Sequence, residues 1–181
     1  MPFGSANGVY SYQIAEKDRG TRQTLAVMAQ LVNQSLLDPY VREFTKEAVK
    51  FANPRDNLEL AQTIDGYLRD HFEFFRDPSG IELIHTPHYM VQEIEKHGNF
   101  TANINGYFRA DCDDFSILAA SMAKASGMPA VFVVYAFPQT DNEYAHVFTM
   151  SKVNDQWYPY DRNVQYPPSG VKPSRQEVYP I

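Results

Sequence analysis

Gly106-Tyr107-Phe108-Arg109-Ala110-Asp111-Cys112-Asp113-Asp114-Phe115 is the stretch that decides how this chain folds. It carries the single cysteine and runs into Ile117, Leu118, Ala119, Ala120, Met122 and Ala123 before Gly127 ends the segment. Apolar residues on nearly all faces predict a helix buried at the centre of the molecule. Asp111 stands where an N-cap belongs, so Cys112 falls in the first turn, where unpaired amides and the helix dipole lower a thiol pKa. A thiolate is the expected state there. Asp113 and Asp114 oppose it by charge while favouring the positive end of the helix. Adjacent helical residues diverge by about 100°, so this pair cannot flank one bond as acid and base.

Upstream, the pattern is helical. Leu25, Met28, Val32 and Leu36 keep helical spacing, and Asp38-Pro39 pairs an N-cap with proline at the first position of a second helix facing inward through Val41, Phe44, Ala48 and Phe51. A third run, from about Asp56 to Phe75, aligns Leu60, Ile64, Tyr67, Leu68 and Phe75, and Thr86-Pro87 opens a fourth that Gly98 closes. Downstream, Ala130 to Phe137, Ala145 to Ser151 and Trp157 to Asp161 are short, β-branched or aromatic, and joined by short polar links. They predict an antiparallel meander on the central helix, with Pro159 placing the last strand at an edge or beside a bulge. The fold class is α+β. One domain over residues 21–165 is expected, with irregular arms at 1–20 and at the proline-rich 166–181.

Composition bounds the function. With 44% hydrophobic and 21% charged residues the chain can build a core, and its 16 basic against 22 acidic residues leave a net charge of −6. Direct nucleic-acid binding is not expected without a basic stripe. No apolar run approaches the roughly 20 residues of a membrane span, and no basic-then-apolar leader opens the sequence, so a soluble, unexported chain is expected. One cysteine excludes an intrachain disulfide and a zinc site built on several thiolates. His85-Thr86-Pro87-His88 has metal-compatible spacing but reads as a loop and helix start. No metal or cofactor is assigned.

Cys112, His146 and Asp161 follow one another on the central helix, the second strand and the third. On β-strand parity His146, Phe148 and Met150 share one face, as do Trp157, Pro159 and Asp161. Thiol catalysis needs these types: a thiolate to attack an acyl carbon, an imidazole to move its proton, and a carboxylate to fix the imidazole tautomer. Phe72, Phe74, Phe75, Phe100, Tyr107 and Phe108 are read chiefly as core, with a substrate groove as their other use.

Together with Gly127-Met128-Pro129-Ala130, Ala145-His146-Val147-Phe148 and Trp157-Tyr158-Pro159-Tyr160-Asp161, the opening stretch resembles the transglutaminase-like superfamily of papain-like fold. The resemblance covers roughly residues 60 to 165, and its Asp113-Asp114 pair is similar to the bacterial and phage branch. Arg162 stands where a proline often follows the carboxylate. The resemblance implies Cys112 as nucleophile, His146 as general base and acid, and Asp161 as orienting carboxylate, acting on a peptide or protein substrate. The Cys112 N–H would help hold the oxyanion, with Tyr107, Asn103 and Asn105 as candidates near a second donor. The implied activity is cleavage or transfer of an acyl group at peptide or amide bonds, with hydrolysis ahead of cross-linking. The alternative is a phage-type structural or assembly protein that retains the fold and binds neighbouring subunits of a virion through its arms. A cytoplasmic location, or a place in a virion, follows from one reading or the other.

Overall fold

The structure, a computed structural model, describes residues 3–6, 8–13, 17–77, 81–98, 108–140, 143–161 and 172–181. In chain order the elements are β1 (Phe3–Ala6), β2 (Val9–Gln13), α1 (Lys17–Ser35), α2 (Pro39–Ala48), α3 (Asn57–His71), β3 (Phe72–Phe74), β4 (Ile81–His85) and α4 (Pro87–Gly98). They continue with β5 (Phe108–Ala110), α5 (Cys112–Ala125), β6 (Ala130–Ala136), β7 (Tyr144–Val153), β8 (Gln156–Tyr160) and β9 (Arg175–Pro180).

α5 is the central element that its all-round apolar pattern predicts, with every residue from Asp113 to Ala123 buried. The other four helices pack about it, and β6 and β7 cover it from the sheet side. The helix starts follow from capping chemistry. Asp38 accepts the Tyr40 N–H at 2.9 Å ahead of Pro39, and Asp56 accepts the N–H groups of Leu58 and Glu59, so each satisfies amides that a helix leaves unpaired. Gly127, at φ +86°, carries the chain from α5 towards β6 in a conformation that favours glycine.

The main sheet has the antiparallel order β8-β7-β6-β9. Its first three strands are the expected meander, and Pro159 lies in edge strand β8, where its missing N–H costs no inner ladder bond. Opposite Met150, Pro159 fixes the register, so Asp161 follows on the face shared with His146.

The expected arms differ from the observed chain. Residues 3–6 and 9–13 form a hairpin, and β2 pairs antiparallel with β4 from Val9↔His85 to Gln13↔Ile81. Gly8 lets the two strands meet closely: at φ +81°, its carbonyl accepts the Thr86 N–H at 2.8 Å, and a Cβ there would lie 2.6 Å from Tyr89 Cβ. At the other end β9 pairs with β6 from Val131↔Pro180 to Ala136↔Arg175, completing the second edge of a buried strand whose backbone groups need partners. Prolines at 167, 168 and 173 lie outside this strand, and the rest of the expected arm, 166–171, lies outside the described residues. Two aromatics also differ from expectation. Phe51 lies beyond the end of α2 and is 90% exposed, and Phe75 is 60% exposed because the chain leaves α3 at His71 and becomes β3, paired parallel with β5.

The pairing of β9 makes a direct prediction. A chain ending at Pro173 should show a clearly lower thermal midpoint by circular dichroism, because β6 loses a whole strand partner. An unchanged midpoint would return this segment to the status of an arm.

Candidate active site

Two polar contacts lock the start of α5 onto β7, and a third lies within the helix. Thr149 Oγ1 donates to the Ser116 carbonyl at 2.7 Å, and Ser116 Oγ reaches the carbonyls of Cys112 at 2.6 Å and Val147 at 3.3 Å. The last β7–β8 pair is Thr149↔Tyr160, so beyond it Val147 turns its backbone to the helix, its carbonyl to Ser116 and its N–H to the Cys112 sulfur. Both ends of this lock are buried, and each such bond contributes about 1 kcal/mol while fixing where the thiol stands relative to the strand.

His146 is one residue before this lock on β7 and is 6% exposed. Its Nε2–H donates to both Asp161 oxygens at 3.1 Å, since a carboxylate only accepts, and the tautomer is thereby set with Nδ1 as the basic nitrogen. The imidazole is stacked with Phe148, at 6.0 Å between centroids and 18° between planes. Asp161 is held from its other side. The Arg69 guanidinium donates to its carbonyl at 2.6 Å, and Arg69 is aimed by Asp65, one turn earlier on α3, at 2.8 Å. Tyr158 also reaches Asp65, at 3.4 Å. Nothing in the sequence flagged Arg69; only the packing of α3 beside the end of β8 brings it to the site.

Cys112 and His146 line two cavities together. One, of about 260 Å³, extends towards α1 and β4, and a narrow one on the other side includes Phe74, Phe115 and Asp161. Of the aromatics considered for a groove, Phe74 lines this site. Phe72 and Phe108 are core, meeting edge to face at 5.4 Å, with Phe115 in the same contact distance of Phe72. Asn103, Asn105, Tyr107 and Phe100, as well as Arg162, lie outside the described residues.

The surroundings of the thiol oppose the anion that its helix position favours. Burial pushes the Cys112 pKa well up, the Asp111 charge adds to the rise, and the N–H of Val147 offsets only part of it. The first-turn amides are largely taken by carboxylates: Asp111 caps the Asp113 N–H at 3.2 Å, and Asp113 accepts the Asp114 N–H at 2.7 Å. These carboxyls thus occupy first-turn amides that would otherwise face a thiolate.

Asp114, 1% exposed, serves another purpose. It accepts both the His85 backbone N–H at 2.7 Å and the His85 Nδ1–H at 2.6 Å, tying β4 to the first turn of α5. His88, three residues on, instead meets Asp38 at 2.7 Å, so these two imidazoles engage carboxylates on different elements. Burial works against the charged form of His85, but the hydrogen bond and charge of Asp114 outweigh it and the His85 pKa is raised.

The sheet edge, the buried cysteine helix and the imidazole–carboxylate pair belong to one architecture, an α+β fold of transglutaminase-like type. The sequence profile of the transglutaminase-like superfamily matches residues 43–162, and the chain belongs to that superfamily. The fold is similar to that of a candidate cysteine protease from Cytophaga hutchinsonii, with 12% identity, a TM-score of 0.52, and 93% of this chain covering 54% of that one. It is also similar to a candidate protease from Parabacteroides distasonis ATCC 8503, with 12% identity, a TM-score of 0.51, and 76% of this chain covering 26% of that one. The chain thus spans only part of the length of these structures. Comparison with curated proteins finds no match. Among the described residues, no helix is long and apolar enough to cross a membrane.

A raised His85 pKa stabilises the fold fully below the unfolded value, about pH 6.5, and that contribution is lost as pH rises through the folded value. In urea titrations, the stability gap between the parent chain and His85→Phe should be widest below about pH 6.5 and narrow as the pH rises above it. A gap independent of pH would mean that the pair is held without an imidazolium charge.

Proposed function

We propose that this protein is a thiol enzyme that cleaves peptide or amide bonds through Cys112, His146 and Asp161. The observation that carries the reading is the His146–Asp161 pair, joined through Nε2, with His146 sharing two cavities with the cysteine at the start of α5 and Asp161 lining the narrow one. Because the resting thiol is neutral, the proton leaves as the substrate arrives. His146 Nδ1 takes the Cys112 proton, the sulfur attacks the acyl carbon, and the Cys112 N–H faces the oxyanion. The leaving amine departs with the proton from His146, giving a thioester. Water, deprotonated by the same imidazole, then releases the acid and restores the thiol. Asp161 holds the tautomer and balances the imidazolium charge formed at each step.

Hydrolysis is placed ahead of transfer because the solved structures of similar fold are candidate proteases. The assembly reading draws on free terminal arms, and residues 3–6, 9–13 and 175–180 are instead engaged in sheets of the same chain. That favours the thiol enzyme.

Cleavage can be read by mass spectrometry as new termini in a mixed peptide pool. Cys112→Ala should abolish it, and His146→Ala should lower it by about 10²–10⁴-fold and slow iodoacetamide labelling of Cys112 at neutral pH. A labelling profile identical in the two histidine forms, with cleavage intact in Cys112→Ala, would end this reading. Arg69 is a positioning residue, acting through Asp161. Arg69→Met should lower kcat more than it alters KM, and Arg69→Lys should recover part of the loss; equal, unrescued effects on both constants would indicate a general loss of packing.

A further inference from the structure

The hydrogen bond to Asp161 fixes one point of the His146 ring and leaves its plane open. Both carboxylate oxygens lie 3.1 Å from the same Nε2, so the imidazole can turn about that nitrogen and keep its acceptor. The torsion that sets the plane of a histidine ring is soft. Proton transfer from a thiol to Nδ1 nevertheless needs the ring directed at the sulfur, so another contact has to hold the plane. The ring beside the imidazole along β7 is Phe148, parallel to within 18° at 6.0 Å between centroids.

Phe148 is itself held from β6. Tyr135 stands directly opposite His146 in the β6–β7 ladder, and the register shifts just after this pair, leaving Ala145 as the extra residue ahead of the histidine. Such a bulge re-aims the side chain beside it. Cross-strand partners share a sheet face, and here the Tyr135 ring meets Phe148 at 5.1 Å and 55°, with Phe137 edge-on to it at 6.2 Å. Phe137 and Phe148 are buried and Tyr135 is half-buried, so Phe148 has little room to turn while Tyr135 stays in place. Burial, and then the charge of Asp161, push the Tyr135 pKa up, which sets its hydroxyl in the field of that carboxylate. One aromatic row thus runs along the sheet from Phe137 through Tyr135 and Phe148 to the imidazole.

We propose that Tyr135 is a positioning residue of the site, acting through Phe148 to hold the plane of the His146 imidazole towards Cys112. Tyr135 lines neither of the two cavities that Cys112 and His146 share, so its effect passes through the Phe148 ring. The role belongs to the flat face of the side chain and to its packing. Phenylalanine therefore preserves it, whereas leucine keeps apolar bulk and loses the face. For its effect on activity the proposal rests on the thiol-enzyme reading; for its effect on the imidazole it stands alone.

NMR of the histidine ring protons on the full chain tests it, with the His146 signals assigned by their loss in His146→Ala. Their position reports the neighbouring Phe148 ring, and their width reports motion of the imidazole. Iodoacetamide labelling of Cys112 across pH reads the consequence at the thiol. Tyr135→Phe should keep the parent signals and the parent labelling profile. Tyr135→Ala should move and broaden the His146 signals and slow labelling at neutral pH about tenfold, a fraction of the roughly 10²–10⁴-fold that the base itself supplies. In cleavage, kcat should fall with KM little changed. Tyr135→Leu should follow alanine while nearly keeping the parent thermal midpoint, and it decides the matter if the alanine variant fails to fold. Parent-like signals and labelling in Tyr135→Leu would overturn the proposal. A Tyr135→Phe variant as impaired as leucine would overturn it too, because the effect would then belong to the hydroxyl. Signals that follow Tyr135 in this way, in a chain whose cleavage persists in Cys112→Ala, would end the thiol-enzyme reading and support the hold on the imidazole.

Discussion

The docking of α5 against β7 through Ser116, Val147 and Thr149 is the constraint on which the remaining site geometry depends. Apolar packing alone would let a helix slide along a sheet with little penalty, since dispersion contacts are non-directional. Buried hydrogen bonds have one register. They set the first turn of α5 against the residue that follows His146, and the early end of the β7–β8 ladder frees the Val147 backbone to make them. The nucleophile candidate and the imidazole thus owe their relation to a gap in strand pairing as much as to any contact between them.

That arrangement has an electrostatic cost. Asp77, Glu82, Asp111, Asp113 and Asp114 converge near the start of α5, and burial with mutual repulsion pushes Asp77 up to about 7. Asp114 is compensated by His85, and Asp113 and Asp111 cap helix amides. The same groups hold the cysteine as a thiol. A protonated sulfur resists oxidation and adventitious alkylation better than a thiolate.

Much of this was legible in the sequence because it rests on local chemistry. Asp38-Pro39, Asp56 and Asp111 cap their helices by rules that operate within four residues, and strand parity grouped His146 with Met150 and Asp161 with Pro159, which the Met150↔Pro159 pairing then brings to one face. Long-range pairing was not legible. The hairpin of 3–13 and strand β9 have few residues and little apolar alternation, so their secondary structure is dictated by the edges of β4 and β6. Arg69 likewise looks like any surface residue of an amphipathic helix until β8 ends beside it. The pull on the thiol away from the anion has a related origin: helix position is a local signal, whereas burial and the charge of Glu82 are properties of the assembled fold.

Asp161 sits just past the last residue of an edge strand, joined to the body by the Arg69 bond to its carbonyl and by its contact with His146. Edge-strand ends open locally at far lower free energy than the core unfolds. Fraying of this junction disconnects the carboxylate from the imidazole while α5, β6 and β7 remain intact. On the proposed mechanism, activity would then fall at temperatures where global probes still show a folded chain, because tautomer control is lost with a few terminal strand residues.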